Sequence, residues 1–157
     1  MPEPFLLPQL AGLYSALAPI SEATLRICVG ALLIPHGLRF MFGMFPGTGN
    51  PNDTVAKLAA VLDSWGYRPG WLWAPLIAST HLICGPLLIL GLFTRYAALQ
   101  ASIFLIVACF ERWRVGGWFW NKLGMEYTLL WAVAAVWVLI HGGGVYSLDH
   151  LCRLPVL

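Results

Sequence analysis

The sequence predicts an all-α integral membrane protein: a four-helix antiparallel bundle with a short amphipathic helix in its first long loop. Composition is the first reason. Of 157 residues, 59% are hydrophobic and 10% charged, with a mean hydropathy of +0.76. A soluble domain carries about 25% charged residues, so this chain has too little polar surface to coat a water-facing globule. Segmentation is the second reason, because the apolar residues gather into four stretches near the ~20 residues that a spanning helix needs. The formal net charge is only +2, which gives nucleic-acid binding no electrostatic support.

The opening stretch "MPEPFLLPQLAGLYSALAP" lacks a basic region ahead of its apolar run, so it does not read as a cleavable signal. Its prolines argue against a full span. The first span is predicted over 22–42, entered after Ser21, a good N-cap. The second runs over 70–93 and contains Pro75 and Pro86, tolerated because neighbouring helices satisfy the freed carbonyls. The third, "YAALQASIFLIVACF", is short and spans, over 96–112, only by borrowing from the following "ERWRVGG" or by tilting little in a thin bilayer. The fourth covers 124–141. Trp65, Trp71, Trp73, Trp113, Trp118 and Trp120 flank these segments as an interfacial belt would.

Between spans one and two, turn residues give way to "DTVAKLAAVLDSWG", whose apolar positions 55, 58, 59, 62 and 65 follow a helical period. Asp53 and Thr54 offer a cap and Gly66 a stop. The segment reads as an amphipathic helix at the interface or as a plain helical connection. A tight turn around Thr94 and Arg95 makes spans two and three a hairpin. Basic residues divide six against three: Arg39, Lys57, Arg68, Arg112, Arg114 and Lys122 on the long-loop side, Arg26, Arg95 and Arg153 on the other. That asymmetry favours cytoplasmic loops.

Ionisable groups inside a span cost ~2.5–3.5 kcal/mol on insertion scales and normally face the bundle interior. His36 and Arg39 of span one, His81 of span two, Glu111 and Glu126 lie toward the long-loop side, and depth counting converges them into one polar pocket. Each has a structural alternative. Arg26 and Arg39 could snorkel, Glu126 could complement a helix start, and His81 could make one interhelix hydrogen bond. His36 and His81 are also the one histidine pair at similar depth, offset too far for haem, with an interhelix bond favoured over metal ligation.

At the opposite face, Arg26 meets the ending "LIHGGGVYSLDHLCRL". Glycines 142–144 release the chain, His141 emerges beside Arg26, and Asp149 folds back to form a bidentate pair with that guanidinium. The alternative is that "YSLD" only caps a surface turn. Cys28, Cys84, Cys109 and Cys152 show no CxxC or metal-ligand spacing, and no nucleotide-binding glycine loop, HExxH or GxSxG occurs.

In order along the chain, Arg26, Gly30, His36-Gly37, Arg39, Gly85, Gly91–Arg95, Glu126 and Tyr146–Asp149 resemble the pattern of the DoxX family of small membrane proteins. The resemblance departs where His81 stands at a position often acidic in the family, where Arg39 replaces a frequent Lys, and in the longer loop 43–70. It implies a four-helix membrane subunit of redox or detoxification assemblies, the family name coming from a thiosulfate:quinone oxidoreductase subunit. The function expected is a DoxX-like membrane subunit of an oxidoreductase system with a quinone or sulfur-compound site. His81 or Glu126 would relay protons to a quinone carbonyl, and Arg39 would stabilise negative charge beside His36. The alternative is a non-catalytic scaffold that docks a partner enzyme. Lipid and further protein subunits are the partners expected, and a transporter would show an internal repeat absent here.

Overall fold

A computed structural model describes residues 8–48 and 54–153, and every regular element among them is helical. Helix α1 runs Ala11–Phe42, α2 Val55–Ser64, α3 Gly70–Leu90, α4 Thr94–Gly116, α5 Glu126–His141 and α6 Leu148–Leu151. Three of them, α1, α3 and α4, are long and apolar enough to cross a membrane. The fourth bundle member, α5, has 16 residues, about 24 Å at 1.5 Å per residue, which is shorter than the usual span.

Helix α1 corrects the expected start at residue 22. Ser21 is not a cap but sits inside the helix, its hydroxyl donating to the Ala18 carbonyl (2.7 Å). Pro19 and Pro35 both lie within α1. Each removes one backbone donor, too small a loss to end a helix whose remaining turns are intact. Gly43 then closes it in the left-handed region (φ 65°), its N–H reaching back to the Arg39 carbonyl. The third span also gains length at both ends. The chain turns at Gly91 (φ 67°) and Phe93 (φ 48°), so α4 begins at Thr94 and continues through "ERWRVG".

Helix α2 is the amphipathic segment expected in the first loop. The Thr54 side chain caps it by accepting from the Lys57 amide (3.3 Å); Asp53, the other candidate cap, lies outside the described residues. Leu58 and Leu62 bury against Ala74 of α3, with Phe40 and Ile77 around them. Asp63 then caps the next helix, its Oδ1 accepting from the Gly70 amide (2.7 Å).

The main core is rich in small residues: Ala97, Ala98, Ala101, Ala132 and Ala135 interleave with Val29, Leu33, Leu88, Leu105 and Val138. Without a hydrophobic drive between helices in lipid, close backbone approach supplies the packing. Helices α1 and α3 meet antiparallel at Gly30 and Gly85, where a Cβ on Gly30 would stand 2.5 Å from the Gly85 carbonyl oxygen. Lower on the same contact, a Cβ on Gly37 would stand 2.9 Å from that of His81. The two glycines therefore set how deeply α1 seats on the helix that carries His81.

Candidate functional site

Ionisable side chains gather at the two ends of the bundle. At the end holding the tail, the Arg26 guanidinium is buried under the α3–α4 turn. It donates through Nη1 to the carbonyls of Leu88 and Ile89 (2.8 Å to Ile89) and through Nη2 to that of Tyr146 (2.7 Å). Gly91 leaves room for it, since a Cβ there would lie 2.7 Å from Nη1. Asp149 takes the other side of the turn. Its two oxygens accept from the amides of Phe93 (2.7 Å) and Thr94 (2.8 Å), and its own amide donates to the Gly91 carbonyl (2.9 Å).

The expected bidentate pair between Arg26 and Asp149 is thus not formed. Both groups are spent on helix ends. A helix carries roughly half a positive charge at its N-terminus and half a negative charge at its C-terminus. Arg26 answers the C-terminal carbonyls of α3, and Asp149 the first amides of α4, so the two are linked across the turn between them. His141 joins neither. Its ring stacks on Trp137 (3.9 Å, 14°), and Nδ1–H donates to the Trp137 carbonyl (2.9 Å). Beyond the turn, the tail leaves an open cleft of about 880 Å³ lined by Glu22, Arg95, His141, Asp149, His150 and Arg153 among others.

Toward the long-loop end, His81 is 1% exposed and sits in an aromatic wall. Phe104 of α4 meets it edge-on at 4.4 Å and Phe40 of α1 at 5.8 Å. The Ile77 carbonyl, 2.7 Å from Nδ1, can only accept, so Nδ1 carries the hydrogen and Nε2 of the neutral ring is left as an acceptor. His36 lies 6.2 Å from His81 and 5.6 Å from Trp131, ring to ring, and is exposed at the bundle surface. The Trp131 Nε1–H is buried without a hydrogen-bond partner among the described residues. Arg39 is buried nearby, and both it and Arg112 act electrostatically on His36.

The two glutamates expected in this pocket point elsewhere. Glu111 accepts from the Tyr67 hydroxyl (2.8 Å) and from Arg114 (3.2 Å), fastening the segment after α2 onto α4. That bond to a carboxylate, with some burial, raises the Tyr67 phenol above its ordinary value. Glu126 accepts from the Trp120 amide (3.1 Å), securing the α4–α5 loop. Its hydrogen bond lies on that loop, and of the five groups expected to converge, His36, Arg39 and His81 are the ones found beside one another. Among the described residues no three His, Cys, Asp or Glu side chains converge as a metal site.

Comparison with known proteins finds a match to the DoxX family model over residues 22–111. The chain belongs to the DoxX family. It is also 30% identical over 139 residues to an uncharacterized protein of Haemophilus influenzae, covering 84% of this chain and 90% of that one. No solved structure matches. The DoxX match takes in Arg26, both histidines of the cluster and the Gly91–Arg95 turn, and ends before α5.

This DoxX protein therefore carries one polar junction whose groups are consumed by structure and one cluster that keeps a buried indole N–H without a hydrogen-bond partner among the described residues. The residue that the sequence reading passed over is Trp131. Most of its tryptophans flank the apolar segments, whereas Trp131 and Trp137 lie inside α5, and that position was the available signal. What the cluster offers chemically is an imidazole acceptor, an indole donor and flat aromatic walls.

Proposed function

We propose that this DoxX protein is the membrane-embedded subunit of a bacterial oxidoreductase system, in the cytoplasmic membrane with its long loops inside, receiving a quinone-type head group at His81, Trp131 and His36. The observation that carries the reading is the buried Trp131 N–H, without a hydrogen-bond partner among the described residues, on a ring beside the His36–His81 pair. A buried donor left unmade costs ~1–3 kcal/mol, and a quinone oxygen would satisfy it. The imidazole acceptor of His81 would hold the hydroxyl of the reduced form or take up its proton. Arg39, through its field at His36, would favour negative charge developing on the bound oxygen. Because His36 is exposed, a lipid-soluble ligand enters sideways from the bilayer. In this reading Glu126 positions the loop above the site rather than exchanging protons. The electrons come from a partner subunit that oxidises a small substrate, the family resemblance pointing to sulfur compounds.

A short-chain ubiquinone titrated into the purified protein, followed by tryptophan fluorescence, tests this. Wild type binds, and Trp131→Phe weakens binding by about tenfold, the ~1.4 kcal/mol of one hydrogen bond. His81→Phe removes most of it while the protein inserts and purifies normally. Unchanged affinity in both variants, or no binding by wild type, rejects the site. The scaffold reading rests on a different observation, the exposed trio Trp118, Phe119 and Trp120 in the α4–α5 loop. It gains if a partner enzyme co-purifies with wild type, is lost on alanine substitution of that trio, and no quinone binds.

A further inference from the structure

The cleft beyond the α3–α4 turn holds polar groups that the joint between Arg26 and Asp149 does not use. At about 880 Å³ it has the size of a small-molecule site. Thr94 lines it and is 1% exposed, and the Thr94 hydroxyl has no hydrogen-bond partner among the described residues. Buried polar groups are nearly always bonded, so an unspent one calls for a partner from outside. Of the two carboxylates in the cleft, Asp149 is committed to the amides of Phe93 and Thr94. The half-buried Glu22 makes no hydrogen bond or ion pair with another described residue.

The glycine run keeps side chains off both groups. A Cβ on Gly143 would stand 2.9 Å from the Thr94 hydroxyl oxygen, and one on Gly144 3.1 Å from a Glu22 carboxylate oxygen. The amides of these two glycines make no backbone hydrogen bond among the described residues. Arg95 and Arg153 line the same cleft, Arg95 steadied by its bond to the Ile140 carbonyl (3.2 Å).

Two guanidiniums, a hydroxyl and two amides are all donors. Together they suit an oxyanion, and guanidinium forks match phosphate oxygens in particular. Glu22 would repel an anion standing alone and needs a cation beside it. A primary ammonium offers a carboxylate three N–H donors. The cleft therefore complements a molecule with both charges. Its place selects the source. It opens at the ends of the spanning helices, where arginine and tyrosine mark the head-group level. Phe93, Tyr96 and Val145 are exposed along it, apolar surface for a glycerol backbone and the first methylenes of an acyl chain.

We propose that this cleft holds the head group of a membrane phospholipid of the phosphoethanolamine type, its phosphate on Arg95, Arg153 and the Thr94 hydroxyl and its ammonium on Glu22. The cleft shares no residue with the His36–His81 cluster, so neither site's failure bears on the other.

The test titrates the full chain in mild detergent with three dihexanoyl lipids and reads the thermal unfolding midpoint by circular dichroism. Phosphatidylethanolamine raises the midpoint by about 4 °C at a concentration ~tenfold above its Kd. Phosphatidylcholine, whose ammonium has no N–H, and phosphatidylglycerol, which has no ammonium, bind at least about tenfold more weakly. Glu22→Gln keeps its helical content and loses the preference for phosphatidylethanolamine over phosphatidylglycerol. Arg153→Gln weakens the binding of both lipids by a similar factor. Equal shifts with all three lipids, a preference for phosphatidylglycerol, or an unchanged preference in Glu22→Gln overturns the proposal. Soluble glycerophosphoethanolamine competing as well as the lipid also overturns it, because the occupant is then a free phosphate ester.

Discussion

Exchanging one oxygen of Asp149 for an NH₂ group distinguishes a helix cap from an ion pair. The carboxylate accepts from two amides at the start of α4, at 2.7 and 2.8 Å. A hydrogen bond to a charged group contributes ~1.5–3 kcal/mol, and losing an N-cap side chain costs ~0.5–2 kcal/mol. Because Asp149 is only half-buried, its two bonds together fall toward the lower part of that range, so Asp149→Ala costs ~3 kcal/mol. Asparagine keeps one acceptor and about half of that, so Asp149→Asn costs ~1.5 kcal/mol. A direct pair with Arg26 would behave differently, because Asn would strand a buried guanidinium at ~3–5 kcal/mol. Removing Arg26 as well would then recover part of the loss. With no direct contact between the two side chains, the coupling from Asp149→Asn, Arg26→Gln and the double variant stays below ~1 kcal/mol. Unfolding in mixed micelles, followed by circular dichroism, gives all four free energies. An asparagine variant as unstable as the alanine one, together with partial rescue by Arg26→Gln, refutes the assignment of these groups to separate helix ends.

Two further outcomes test packing and the loop attachment. Gly30→Ala would gain ~1 kcal/mol in an isolated helix, but its methyl falls 2.5 Å from the Gly85 carbonyl oxygen, and overpacking of that kind costs ~1–3 kcal/mol. A lower melting temperature is expected, and a higher one shows that α1 and α3 do not touch there. For Tyr67, the bond to Glu111 and then burial hold the phenol above its ordinary value. The stabilisation is complete below the usual tyrosine pKa of ~10 and is lost as pH rises through the folded-state value. The ultraviolet difference titration between wild type and Tyr67→Phe reads this one phenol. Ionisation at or below the ordinary value means that the contact with Glu111 is absent.

The helices were legible because their evidence is local. Run length and hydropathy mark α3 and α4 whatever they pack against, and the Thr54 cap of α2 is written in adjacent residues. The start of α1 was not legible. Pro19 and Ser21 carry the usual signs of a boundary, but a proline removes one hydrogen bond and leaves the other turns intact. In the candidate site, depth counting brought His36 and His81 together across two antiparallel helices. Glu111 and Glu126 shared that depth and still bonded elsewhere, to Tyr67 and Arg114 and to the Trp120 amide, because depth says nothing about which way a helical side chain faces. Arg26 and Asp149 were matched by sign, as a guanidinium needing a counter-ion and a carboxylate able to fold back to it. The fractional charges at the ends of α3 and α4 were the nearer partners, and these belong to backbone that no letter of the sequence records.

The joint at the tail also bears on what membership in the DoxX family transmits. Arg26, Gly91 and Thr94 lie within the matched residues 22–111 and Asp149 beyond them, and all four serve one turn, where a cation meets the end of α3 and an anion the start of α4. Residues of that kind hold the fold together and are silent about chemistry. His81 and Arg39 lie in the other half of the bundle. An ionised carboxylate at position 81 could only accept hydrogen bonds. The imidazole present donates Nδ1–H to the Ile77 carbonyl and at the same time keeps Nε2 as an acceptor, so it is held in place without spending the nitrogen that a ligand would use. That arrangement is what supports His81 as the ligand-facing group of the proposed site.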